Sequence, residues 1–118
     1  MVETNTTFAC DMSSLTEDER NKHIATMKEV FGTVNEIREL DEGYAFRLPN
    51  DETFLIKAVE FIAGERLCCP FFTFEIKTGP DEEFWLSLKG ADGIKPFIQA
   101  EIGQALNNAV ARKAGFIN

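Results

Sequence analysis

Three cysteines are the residues of this chain whose type and spacing could do chemistry. Cys68 and Cys69 are adjacent, in "ERLCCPFF" at residues 65–72, directly ahead of Pro70; Cys10 stands far upstream. Thiolates are soft ligands and select Hg(II), Cu(I) or Zn(II) over hard cations. Zinc asks for four tetrahedral ligands, and the chain has one histidine, His23. On our reading His23 lies about two turns into a helix, too far along to complete the set, with nothing to bring it to Cys68. A two- or three-sulfur site suits an ion content with low coordination, such as Hg(II) or Cu(I).

Two other chemistries compete. A nucleophilic thiol needs a stabilised thiolate, usually at a helix N-terminus or beside a cation. Here the pair follows a helix C-terminus, whose partial negative charge opposes ionisation. A bound metal would supply the missing positive charge. Adjacent cysteines could also close a strained vicinal disulfide suited to redox regulation. The plain alternative is packing, because free cysteine behaves as a small buried hydrophobe.

The charged neighbours are candidates for an outer layer of the site. Asp11 reads as a turn residue or an oxygen ligand. Glu65 and Arg66 fall on or near the inward stripe of a helix, after Phe61 and Ile62. The plainer reading has both snorkelling outward at its rim, and the functional one puts Arg66 over the thiols. Phe61, Phe71, Phe72 and Phe74 read as core, or as the lining of a pocket for a small apolar ligand.

The bulk properties narrow the class. A chain of 118 residues suits a single domain, residues 1–118. The net charge is −8, without a Lys/Arg cluster. That argues against nucleic acid, whose binding needs a basic surface, and against an anionic membrane. No apolar run reaches membrane-spanning length, and the start "MVETNTTFACDM" lacks the features of a signal peptide. An odd cysteine count with two neighbours is a poor disulfide framework, so a cytoplasmic location is expected.

These residues must be positioned by regular elements. Residues 6–10 read as a first strand. Ser14 with Glu17, or Thr16 with Glu19, fits a capping box for a helix with its stripe at Ile24, Met27, Val30 and Phe31. "VNEIREL" and "YAFRL" form a hairpin. Asn50 or Asp51 caps a second helix with a stripe at Leu55, Ala58, Val59 and Ile62, stopped by Pro70. "FFTFEIK" and "EFWLSLK" form a second hairpin, in which Trp85 points outward and needs the last helix or a second subunit to cover it. "GADG" is a connector without a phosphate-binding pattern. One last helix carries Phe97, Ile98, Ile102, Leu106 and Val110 and ends at Gly115.

The order β-α-β-β-α-β-β-α predicts an α+β fold: a ferredoxin-like βαββαβ core extended by a further strand and a C-terminal helix. In that topology, with strand order 4-1-3-2, strand 1 ends where helix 2 ends. Cys10, Cys68 and Cys69 then meet at one end of the sheet.

The segments "CDMSSLT", "ER" at 19–20, "YAFRL", "ERLCCPFFTFEI" and "GADGIKPF" together resemble a group of small bacterial proteins. These are found near, or fused to, heavy-metal-responsive regulators, including those of mercury-resistance clusters. E-R-x-C-C-P-F is the most specific part of the likeness, which runs from Phe8 to about Phe97. The group brings no assigned activity, so no catalytic residue is carried over. The resemblance implies soft-metal handling at Cys10, Cys68 and Cys69. More distantly, the pair is similar to the vicinal cysteines at the tail of mercuric reductases, which pass Hg(II). The expectation is therefore a non-enzymatic cytosolic thiol protein that binds a soft metal ion. Its rivals are a small homodimeric interaction module with structural cysteines and a thiol-redox protein.

Overall fold

The structure, a computed structural model, describes residues 10–80 and 84–117. Residues 6–9 of the expected first strand lie outside them, and Cys10 belongs to no strand. A 3₁₀ turn at Met12–Ser14 leads into α1, Glu17–Phe31. The capping box that forms is Thr16 with Glu19, each side chain bonded to the other's backbone N–H. The first hairpin is β1, Glu36–Leu40, and β2, Gly43–Leu48. Helix α2, Glu52–Cys68, starts where Asp51 accepts a hydrogen bond from the Phe54 N–H. The second hairpin is β3, Thr73–Thr78, and β4, Phe84–Lys89.

The predicted last helix is broken. Helix α3 runs over Ile94–Ile102, a 3₁₀ turn over Gly103–Ala105, and α4 over Asn108–Lys113. Asn107 restarts the chain as α4 by capping the Ala109 N–H. Gly115 closes it with φ 83°, the left-handed region that glycine enters without strain.

The fold is α+β, with four antiparallel strands in the order β1-β2-β4-β3. This differs from the ferredoxin-like order, which would put residues 6–10 between "YAFRL" and "FFTFEIK". That place is held by β4. The reason is register: β4 sets Phe84, Leu86 and Leu88 against Leu48, Phe46 and Tyr44 on one side. On the other side the same residues face Thr78, Ile76 and Phe74. The two hairpins thus join through their more apolar arms, and each cross-strand pair stays on the core face.

Phe31 of α1 meets Phe46 edge-on at 5.1 Å, and Phe61 of α2 meets Phe74 at 6.3 Å. Both helices therefore lie over the core face. Gln99 of α3 donates to the Tyr44 hydroxyl at 2.7 Å and fixes α3 beside them. On the opposite face Trp85 is buried, and its ring lies 4.3 Å beneath the Arg38 guanidinium. An arginine covers it there, where a helix or a second subunit was expected.

The stripe of α2 also differs from expectation. Its buried residues are Ala58, Phe61, Glu65 and Cys68, whereas Leu55 and Val59 are exposed. The helix is apolar on more than one side, with Ile56 and Leu67 exposed as well. Periodicity alone therefore could not pick the inward face. That rotation carries Glu65 and Cys68 into the core.

Candidate metal centre

Pro70 makes the end of α2. It keeps Cys69 out of helical geometry, and Cys69 sits at φ −130°, ψ 68° with its N–H bonded to the Glu65 carbonyl at 2.7 Å. The turn leaves Cys68 and Cys69 both buried. Cys10 arrives from the other direction. The Asp11 N–H donates to the Cys68 carbonyl at 2.7 Å and ties the incoming chain to the helix end. The Asp11 carboxylate accepts from the Ser13 N–H at 3.0 Å and from the Ser13 hydroxyl. Arg20 holds the same turn by donating to the Met12 and Leu15 carbonyls, each at 3.3 Å. Asp11 is therefore a turn residue, and it is exposed.

The three sulfurs converge, all within 4.8 Å of one another. Cys10 and Cys69 are joined as a disulfide, with Cα atoms 4.7 Å apart. Cys68 is the free thiol, and its Sγ lies 3.8 Å from the Cys69 Sγ. The expected meeting of Cys10 with the pair is present. The bridge joins Cys10 to Cys69, in place of the vicinal pair.

Glu65 and Arg66 separate. Arg66 is exposed, in keeping with the rim reading, and does not cover the thiols. Glu65 is fully buried at 0% exposure. Helical geometry sets it one turn before Cys68 on the same face. Its Oε1 lies 2.8 Å from His23 Nε2 and 4.0 Å from Cys68 Sγ.

His23 is thus corrected: it is buried and does reach Cys68's surroundings. Helix α1 packs its His23, Thr26 and Val30 side against α2. The imidazole stacks on Phe61 at 5.5 Å, 12° from parallel. Gly64 gives it room, since a β-carbon there would collide with Nδ1 and come within 3.0 Å of Cε1. Position along a helix is a poor guide to reach when the contact is lateral, between two helices. That "ERLCC" contains a glycine just upstream was the one available hint of such a close approach.

Glu101 of α3 went unnoticed in the sequence. Phe97, one turn earlier, packs against Phe71 and Phe72 at 5.3 and 5.8 Å. That aromatic clasp brings α3 to the turn after Pro70. The Glu101 Oε2 then lies 3.1 Å from Cys10 Sγ and 3.8 Å from Cys69 Sγ. Bridged sulfurs carry no hydrogen, so a hydrogen bond here comes from the carboxyl.

The electrostatics are those of a crowded acidic interior. Burial, and then the charges of Glu65 and Glu101, push the Cys68 thiol up to about 11. Burial, and then the charge and hydrogen bond of Glu65, push Glu101 up to about 9. Glu65 Oε2 and Glu101 Oε1 are buried and accept no N–H or O–H from another described residue.

Among the described residues, three overlapping donor sets result, each with ligand atoms within 4.8 Å: Cys10, Cys68 and Cys69; Cys10, Glu65, Cys69 and Glu101; and His23, Glu65 and Cys68. Cysteine sulfur, imidazole nitrogen and carboxylate oxygen are all capable metal ligands. Comparison with protein-family models, curated proteins and solved structures finds no match. Among the described residues, no helix is long and apolar enough to cross a membrane.

Proposed function

We propose that the reduced protein is a non-enzymatic cytosolic binder of a soft metal ion, held by Cys10, Cys68 and Cys69. The observation that carries this reading is the convergence of three sulfurs from two distant parts of the chain, within 4.8 Å of one another. Its support from the resemblance is the E-R-x-C-C-P-F motif and its heavy-metal context. Hg(II) or Cu(I) is favoured by an all-sulfur set. The buried surroundings supply a further reason. Burial and the charge of Glu65 oppose a bare thiolate at Cys68, whereas a bound cation stabilises it. Each cysteine loses its proton to water as it ligates.

The Cys10–Cys69 disulfide is then the closed form. It opens when two small-molecule thiols (2 RSH) give two electrons and two protons to the bridge, leaving two protein thiols and RSSR. The test is titration of the phosphine-reduced protein with Hg(II), Cu(I) and Zn(II). One equivalent of Hg(II) or Cu(I) is expected to bind the wild type tightly. A Cys10→Ser/Cys68→Ser/Cys69→Ser variant that binds as well sinks the reading.

The disulfide itself favours a second reading, a thiol-redox protein. In it the Cys68 thiolate, 3.8 Å from the Cys69 sulfur, attacks that sulfur. A Cys68–Cys69 bond forms, the Cys10–Cys69 bond breaks, and Cys10 leaves as a thiolate that takes up the proton Cys68 released. Equilibration with a thiol–disulfide buffer tests it: a bridge that fails to exchange in the native protein rules it out.

A further inference from the structure

The side of Cys68 that faces α1 carries a donor set that does not use the disulfide. We infer that His23, Glu65 and Cys68 form a mixed nitrogen–oxygen–sulfur site for a divalent ion of the zinc class, and that this site persists while the Cys10–Cys69 bridge is closed. It does not require the three-sulfur reading, although the two share Cys68.

Geometry carries the inference. His23 Nε2 and Glu65 Oε1 are 2.8 Å apart, and Glu65 Oε1 and Cys68 Sγ are 4.0 Å apart. Zinc bonds of about 2.0–2.1 Å to nitrogen and oxygen and about 2.3 Å to sulfur put tetrahedral ligand atoms roughly 3.3–3.6 Å apart. These two spacings bracket that range and the third pair lies within 4.8 Å, so shifts of about half an ångström in each of the two bring the set towards tetrahedral distances.

The donors come from rigid elements: one from α1 and two from adjacent turns of α2. All three are buried, at 7%, 0% and 1% exposure. Glu65 also has a second oxygen that accepts no hydrogen bond from another described residue.

The charge balance suits burial. A divalent ion with one carboxylate, one thiolate and a neutral imidazole is neutral overall, which avoids an uncompensated interior charge. Cys68 gives its proton to water as it ligates.

An access route exists. A groove of about 280 Å³ between α1 and α2 is lined by His23 and Gly64 among others, with Glu19 and Glu60 contributing to its walls. Of the three donors His23 lines the groove; Glu65 and Cys68 lie within the core, on the side of α2 that faces His23. Lys22 lines the groove beside the two carboxylates, so its wall carries both signs of charge, and the groove reaches the site at His23. Three protein ligands with one open position is the arrangement of exchangeable zinc sites.

The test uses the full-length oxidised protein with its bridge intact. Co(II), as a spectroscopic stand-in for Zn(II), is expected to bind one to one and to give thiolate-to-cobalt charge-transfer absorption. Cys68→Ser is expected to abolish that absorption. Cys10→Ser/Cys69→Ser is expected to keep it while losing the three-sulfur site, so the two readings fail separately. His23 is the chain's one histidine, so its ring nitrogens report without any variant: in ¹⁵N-histidine-labelled wild type, Zn(II) is expected to shift one nitrogen signal strongly. Absence of the charge-transfer band in oxidised wild type, or unmoved histidine signals at saturating Zn(II), would overturn the inference.

Discussion

His23 Nε2 stands 2.8 Å from Glu65 Oε1, joining α1 to α2 across 42 positions of sequence in a buried contact. A second polar contact between these helices, from Lys57 Nζ to Glu29 Oε1 at 3.1 Å, lies towards the solvent, whereas His23 and Glu65 are buried. A buried partner left alone bears its desolvation cost, about 1–3 kcal/mol. Glu65→Ala is therefore expected to lower unfolding free energy by about 2 kcal/mol in urea titration. Gly64→Ala is expected to destabilise as well, because its methyl would displace the imidazole. A Gly64→Ala variant as stable as wild type would contradict the close approach.

Cys68 is expected to be a sluggish nucleophile. With the thiol pushed up to about 11 against an ordinary 9.0, its thiolate fraction at pH 8 is roughly 10²-fold below that of an unperturbed thiol. Iodoacetamide should alkylate the native oxidised protein at least that much more slowly than the protein unfolded in guanidinium. The native rate should keep rising towards pH 11. Equal rates in the two states would count against the buried acidic setting.

The Cys10–Cys69 bridge spans 59 positions. On the chain-entropy account, closing a loop of that length stabilises the fold by about 4 kcal/mol. Cys10→Ser is expected to lower unfolding free energy by that order. Adding a phosphine to the wild type should reproduce the loss, and adding it to the variant should change nothing.

Glu101 sets a pH dependence whose sign is fixed. Its folded value is raised to about 9 from 4.5, so the folded state holds a proton that the unfolded state has released. The contribution is fully present below pH 4.5 and is lost as pH rises through about 9. The slope attributable to one such group is at most about 1.4 kcal/mol per pH unit. Glu101→Gln keeps shape and hydrogen bonding without the titration. Its stability should decline less than that of wild type between pH 5 and pH 9 in parallel denaturant titrations.

Local signals were legible in the sequence. Thr16 and Glu19, Asp51, and Pro70 each start or stop a helix through their own backbone chemistry, and each does so as read. The alternation of Tyr44, Phe46 and Leu48 marked a core-facing strand. The convergence of the cysteines was legible too, although the sheet order used to argue it is not the one present. The cysteines meet because the Asp11 turn docks on the α2 end, a local bond that no strand order implies. Long-range choices were hidden. Spacing after Phe61 and Ile62 sets Glu65 near the inward stripe of α2, but its charge favours the rim, and Leu55 and Val59 offer an equally apolar stripe that is in fact exposed. Glu101 looks like any surface acid until Phe97 is seen to press α3 against Phe71 and Phe72. A charged residue at helical spacing from core residues is written off as exposed unless its partner is known, and here the partners are far away in sequence.

The backbone bond from the Asp11 N–H to the Cys68 carbonyl does not depend on the state of any sulfur. A chain held by this bond when the bridge opens would keep the Cys10 thiol beside Cys68 and Cys69 at a high effective concentration. On the proposed function, an ion captured by one sulfur would meet the next two with little further ordering of the chain. Such donors would act as a preformed chelate, in which affinity comes from slow escape: an ion would leave only if three neighbouring bonds were broken before any one of them re-formed.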